Sequence, residues 1–373
     1  MNEQRLFRLF EDLCKIDAPA LRERDSVEFT KRYLNGLGLE VWEDDSGARI
    51  GGNANNVFAK LKGTRPEAPK IFLCAHFDTV EPTEGLEIGL EDGVYSSLSD
   101  TILGADDKAG MAPAIEAVAS LRETGGDYGD VFLVLCVAEE IGLKGAMACE
   151  SIRDLGVDYG YVFDTGPPVG TFVNRVGSRS DFDARIIGRP AHAGKHPEEG
   201  INAIQAAGAA LAKMRLGRID DVTTSNVGLI EGGSAVNVVP ANVVLRGEAR
   251  SFDPEKLQAQ LANMESSVRE ACAERGAKCE ISVRNAYRGY HIDEEHPVIA
   301  NAVASAKNLG FSGALRDTLG GSDANAFNEK GVTTIVCGTG MEKIHTHDEY
   351  VAQADLVGLT KLAIELARNA ARV

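Results

Sequence analysis

Four short runs of the chain are apolar at nearly every position: "KIFLCA" at 70–75, "DVFLVLCVA" at 130–138, "YGYVF" at 159–163 and "TTIVC" at 333–337. A strand with one wet face alternates. A run without alternation predicts a strand covered on both faces, as in a parallel sheet. Between the first two runs the spacing changes to that of a helix. Ala109, Ala112, Ile115 and Val118 make one apolar stripe and predict a helix from Asp107 to about Arg122. Leu6, Leu9, Phe10 and Leu13 predict an amphipathic helix at the N-terminus. Strands alternating with helices define an α/β class.

The middle of the chain reads differently. Between about Ser178 and Tyr290 the order is strand, helix, strand, strand, helix, strand. The strands lie near "SDFDARIIG", "TTSNVGLI", "NVVLRGEARSF" and "CEISVRN". This is a ferredoxin-like βαββαβ order. It predicts a second domain, 178–290, inserted into a first domain made of 1–177 and 291–373.

Composition narrows the partners more than the fold. The net charge of −17 argues against nucleic acid and anionic membrane partners, which require basic patches. No apolar run approaches the roughly 20 residues of a membrane span. The first helix has charges interleaved and does not read as a signal segment. Seven cysteines with no C-x-x-C pair predict reduced thiols and a cytoplasmic protein.

In open α/β sheets ligands bind beyond the carboxyl ends of the strands. The residues just past each apolar run are therefore informative. His76 and Asp78 come after the first, Glu139 and Glu140 after the second and Asp164 after the third. His345, His347, Asp348 and Glu349 come after the fourth, and "LGADDKAG" sets Asp106 and Asp107 at a helix start. Singly these are ordinary: a strand-end His is usually structural and an Asp before a helix is usually a cap. Together they bring His and carboxylates to one edge with few basic residues beside them. Crowded carboxylates repel unless a cation holds them. Mixed His, Asp and Glu donors suit zinc, with manganese or cobalt also accommodated. There are too many donors for one tetrahedral ion, and two ions sharing one carboxylate would use them. Asp106, at the entry to a helix, fits the shared position. Other chemistries fail: there is no H-E-x-x-H, P-loop or GxGxxG, and "GGSDA" has Ala324 where a Ser322 nucleophile elbow needs glycine.

The ordered set "AHFDTV", "GADDKAG", "AEEIGLKGA", "FDTG", "AHAGKHPEEGINAI", "GGSAVNVVP" and "IHTHDEYV" resembles the two-zinc metallopeptidases that include peptidase T, carboxypeptidase G and the aminoacylases. The closest resemblance is to the peptidase T-like branch. It implies a zinc-exopeptidase-like three-layer α/β/α catalytic domain and makes the insert a lid and dimerisation domain. It implies two Zn2+ per subunit, with His76 and Asp164 on one ion, Glu140 and His345 on the other and Asp106 bridging. Glu139 becomes the general base for a water held between the ions, and Asp78 the partner that orients the His76 ring. His345, four residues before Glu349, is the matching His; His347 is a bystander. His192 matches a histidine that reaches the partner subunit's site and stabilises the oxyanion. Asn237 and Arg250 match substrate-gripping positions.

The implied activity is hydrolysis of small peptides by a homodimeric aminopeptidase or tripeptidase-like exopeptidase. Asp164, where carboxypeptidase members more often carry Glu, favours the aminopeptidase side. Leu319 stands where tripeptidases tend to carry Arg before the "GG(S/T)D" turn, which removes a carboxylate anchor. The alternative activity is an amidohydrolase of N-acyl amino acids or other small amides on the same site. A metal-free binding protein is disfavoured by the intact ligand set.

Overall fold

The computed structural model describes residues 1–372. The chain forms two compact units: residues 1–175, 291–317 and 322 onward in the first, and residues 176–290 with 318–321 in the second.

The first unit is built on a nine-stranded sheet. Its centre is four strands, in spatial order Val131–Cys136, Ile71–His76, Tyr159–Val162 and Thr334–Cys337, all parallel. Every residue of these strands is buried, the consequence of runs that are apolar on both faces. Antiparallel strands flank them, Val57–Leu61 beside Val131–Cys136 and Thr171–Val176 beside Thr334–Cys337. Two groups of helices cover the sheet. Ala105–Thr124 packs with Glu3–Cys14 and Gln353–Ala370, while Asp323–Glu329 packs on Tyr159–Val162 and Thr334–Cys337.

The helix predicted over 107–122 spans Ala105–Thr124, but the regular turns begin after Asp107. Asp106 and Asp107 have non-helical backbone angles. Asp107 Oδ1 accepts from Gly110 N at 3.1 Å and so caps the helix proper. The expected single stripe is also too narrow. Every residue from Ala105 to Leu121 is buried, because helices and sheet surround it. Gly110 sits where a Cβ would lie 2.2 Å from Phe163 O, so only glycine lets the helix start lie against that strand end. Ser322 caps Asp323–Glu329 in a capping box with Asn325, a structural role.

In the second unit five antiparallel strands run in the order Gly217–Asp220, Thr223–Gly232, Asn242–Ser251, Ser178–Ile187, Lys278–Tyr287. The four longer strands have the ferredoxin-like arrangement, and the short Gly217–Asp220 edge strand is an addition. Helices Ala203–Lys213 and Pro254–Arg275 close a core of Phe182, Ile186, Ala207, Leu245, Met264 and Val268. Pro254–Arg275 carries its own start and stop signals: Asp253 accepts from Glu255 N and Lys256 N, and Gly276 ends it with φ 68°. Residues 318–321, assigned by the sequence pattern to the first domain, join this unit. Leu319 O accepts from Arg250 Nη1 at 2.9 Å and Tyr287 OH at 3.2 Å, and Thr318 O accepts from Gly177 N at 3.0 Å.

Candidate metal centre

The four central strands end at one edge. His76 closes its strand level with Cys136, and Glu139, Glu140 and Asp164 lie just beyond the neighbouring strand ends. His76 is 1% exposed. Its Nε2 lies 3.2 Å from Asp106 Oδ1 and 4.0 Å from Asp164 Oδ1. The other Asp106 oxygen, Oδ2, lies 3.2 Å from His345 Nε2, which is also 3.2 Å from Glu140 Oε2. One carboxylate therefore spans two imidazoles, with a further carboxylate on each side. Donor atoms of His76, Asp106 and Glu140 lie within 4.8 Å of one another, as do those of His76, Asp107 and Asp164.

This donor set fits a pair of divalent cations. Nitrogen and carboxylate oxygens in near-contact are what zinc and similar ions select. Glu140 Oε1 is buried with no hydrogen-bond partner, an orphan that a cation would satisfy. The electrostatics agree. Burial, then the charge of Asp106, pushes Asp164 well above the usual carboxylate range. Burial, then Asp164, does the same to Glu139. Hydrogen bonds donated to Asp106 and Glu140 push His345 up to about 10. Burial opposes charging His76, yet its bonds to Asp106 and Asp78 hold it well above its ordinary value. Burial raises Asp106 too, but His345 and His76 outweigh that and bring it below its ordinary value. Protons crowd where cations would otherwise sit.

Three of the ligand-bearing segments, those of His76, Asp106 and Glu140, are fixed through their main chain by a buried carboxylate. Asp107 Oδ2 accepts from His76 N at 3.2 Å. Glu349 accepts from Gly104 N at 2.7 Å and Asp106 N at 2.9 Å. Asp78 accepts from Glu139 N at 2.9 Å and Glu140 N at 3.0 Å. The His76 ring is held more closely by the Asp78 carbonyl, 3.0 Å from Nδ1, than by its carboxylate at 3.4 Å. The strand ends at His76, so Asp78 does not continue its period. Its carbonyl accepts a hydrogen bond from Nδ1–H and leaves Nε2 free to bind, while its carboxylate serves the Glu139–Glu140 turn. Lys108, also buried, donates to the Phe77 carbonyl between them. In the chain, Asp107 shows only as a helix cap and Glu349 only as a spacing mark four residues after His345. An acceptor for a main-chain amide leaves no pattern in the chain.

The second unit holds the remaining candidates. His192 and Asn237 are exposed and lie on adjoining segments: His192 bridges Val238, and Asn237 O accepts from Ala193 N at 3.0 Å. Arg250 is engaged by Glu248 at 2.7 and 3.0 Å as well as by Leu319 O. In the first unit, His347 lies between Glu81 and Asp100, at 2.7 and 3.1 Å.

The proton crowding gives a pH dependence for the metal-free protein. Burial lifts Asp323 from 3.8 and Glu349 from 4.5 to about 7. Each is protonated more readily folded than unfolded. The stability it lends is full below its ordinary value and lost as pH rises through about 7. His345 acts in the same direction, its contribution lost between 6.5 and about 10. Asp106 acts oppositely, but only in strong acid. The chelator-treated protein should therefore melt at progressively lower temperature between about pH 5.5 and 8.5, and the metal-loaded protein much less so. Differential scanning calorimetry checks this; a midpoint that rises with pH in the metal-free protein contradicts it.

The profile of Peptidase family M20/M25/M40 matches residues 72–369. A solved tripeptidase from Staphylococcus aureus is 37% identical with a TM-score of 0.94, each chain covered in full. The aminopeptidase PepT of Bacillus cereus is 35% identical with a TM-score of 0.89, covering 100% of this chain and 99% of its own. A dinuclear metal binding peptidase of the M20 family from Bacillus subtilis shares the fold at 21% identity and a TM-score of 0.72, covering 99% and 98%.

Proposed function

The chain belongs to peptidase family M20/M25/M40, and from that premise we propose that it is a metal-dependent exopeptidase that removes residues from the amino terminus of short peptides. The observation that carries the reading is Asp106, whose two oxygens each lie 3.2 Å from a different imidazole. His76, Asp164 and Asp106 would hold one cation, and His345, Glu140 and Asp106 the other. Zinc is the assigned metal, with manganese or cobalt as substitutes. When bound, the pair supplies Lewis acidity, which lowers the pKa of a water and polarises the scissile carbonyl.

The chain's own groups do the rest. Glu139, 8% exposed and bordered by Asp164, takes the proton of the attacking water and returns it to the leaving amine. Asp78 holds the main chain of Glu139 and Glu140 and the tautomer of His76. His192 is assigned to the oxyanion, donated by the partner in a homodimer, with the second unit as lid and dimerisation domain. A strict monomer by sedimentation would remove that role. Asn237 is assigned to substrate. Arg250 is assigned there too, although its guanidinium is already engaged by Glu248 and Leu319 O, so its contribution is the smaller. No described helix is long and apolar enough to cross a membrane, and the seven free thiols support a cytoplasmic setting.

A substrate panel on the zinc-loaded protein tests the reading. Tripeptides and dipeptides with free amino termini should be cleaved, and amino-terminally acetylated forms should not. Preferred hydrolysis of N-acetyl amino acids would favour the amidohydrolase instead.

A further inference from the structure

We propose that Glu23 is a positioning residue for catalysis: its carboxylate fixes the main chain of the turn that presents Glu139 and Glu140. This rests on the reading of Glu139 as general base. Glu23 lies upstream of the matched family segment, which begins at residue 72, and 115 residues from the turn it holds.

Glu23 occupies the N-cap position of helix Arg24–Gly36, yet its side chain does not cap that helix. It is 0% exposed. Oε1 turns inward and accepts from Leu21 N at 2.9 Å and Ala138 N at 3.0 Å. Leu21 and Ala138 are both non-glycine residues in the left-handed region, with φ of 69° and 55°. Such residues need their surroundings to hold them. One oxygen thus ties together two unfavourable backbone positions, one of them directly before the general base.

The neighbouring amides are treated alike. Val137 N donates to Asn56 Oδ1 at 3.0 Å, and Glu139 N and Glu140 N donate to the two oxygens of Asp78. Four successive N–H groups, Val137 to Glu140, are therefore each taken by a side-chain oxygen from elsewhere. On the other side Glu139 O accepts from Gly142 N and Leu143 N, at 2.9 and 2.7 Å. The main chain of Glu139 is pinned at both its N–H and its C=O. Ala138 is itself 0% exposed, so water cannot replace Glu23 without the turn opening. Burial holds Glu23 above the usual carboxylate range, and its Oε2 has no partner. Glutamine, with a carbonyl oxygen in place of Oε1, is thus a close mimic.

The test compares Glu23→Ala, Glu23→Asp and Glu23→Gln in the full-length, metal-loaded protein, assayed below each variant's melting temperature. Misplacing a reacting group by about 1 Å can cost on the order of 100-fold. Assayed at saturating metal, with both ions bound, Glu23→Ala should lose between about 10- and 100-fold in kcat on that scale, with KM unchanged. Glu23→Gln should recover most of the loss, because both amides keep their acceptor. If Glu23→Ala does not fold, Glu23→Asp, which withdraws the carboxylate by one methylene, should show the same kcat-only loss. In a Glu139→Gln background the Glu23 substitution should have little further effect. Full kcat in the folded Ala or Asp variant, or a Gln variant as impaired as Ala, overturns the inference. The two readings fail separately. Glu139→Ala with full turnover removes the base assignment itself. An inactive Glu139→Ala beside a fully active Glu23→Ala removes only the role of Glu23.

Discussion

Replacing Glu139 with alanine is expected to lower kcat by about 100- to 10,000-fold, the range of a positioned general base, while both metals stay bound. The split comes from geometry. Glu139 projects from a turn whose amides are held by Asp78, and none of the short His–carboxylate contacts runs through it. Its carboxyl is buried and bordered by the charge of Asp164, so it holds a proton more readily than an exposed glutamate would. A base that must accept a proton from water and return it near neutral pH gains from that shift. Glu139→Gln preserves shape and burial and should be nearly as inactive. That outcome would tie the loss to proton transfer rather than packing. Steady-state kinetics with metal analysis on the same samples decides it. Full turnover with two metals bound would remove Glu139 from the mechanism.

Replacing Asp106 should have a different signature, loss of metal together with activity. Asp106 contacts both imidazoles, one with each oxygen, and Glu349 fixes its amide. Removing an outer-shell partner typically weakens metal binding by about 10- to 100-fold, and removing the shared ligand should exceed that at both positions. Asp106→Ala is expected to bind at most one ion and to show no measurable turnover. In the metal-free protein the same change removes the carboxylate that contacts both histidines. The His345 pKa should then fall from about 10 toward its ordinary value, a shift that NMR titration reads directly. Two tightly bound ions in Asp106→Ala would show that another group makes the bridge.

Much of this was legible in the chain. Runs without alternation predict strands covered on both faces, and those strands are parallel and wholly buried. Residues just past parallel strand ends share one edge, so His76, Asp78, Glu139, Glu140 and Asp164 could be grouped from the chain alone, with Asp106 added by its helix start; only the resemblance separated Glu140 from Glu139 as a ligand. His345 was harder to place. It lies well beyond its strand, at φ 64°, and only the resemblance selected it over His347. The helix stripe misled because a stripe counts one apolar face, whereas Ala105–Thr124 is enclosed on all sides and keeps even Glu116 buried by pairing it with Arg5 at 2.6 Å. Of the support around the ligands only Asp78 was marked, through the resemblance, and its hold on the Glu139 and Glu140 amides was not. Glu349 reaches across 243 residues to Asp106, and Glu23 across 115 to Ala138. Their partners are main-chain amides, which nearly every residue has and no pattern marks. Side-chain chemistry shows in a sequence; the carboxylates that hold its backbone in place show only in the fold.

The central claim is a pair of cations sharing Asp106. Anomalous diffraction from zinc-loaded crystals, recorded at the zinc edge, tests it most directly. The expected result is two peaks about 3.5–4 Å apart, one beside His76 and Asp164, the other beside Glu140 and His345, with one Asp106 oxygen directed at each. A single peak, or two peaks with Asp106 bound to only one, would contradict it.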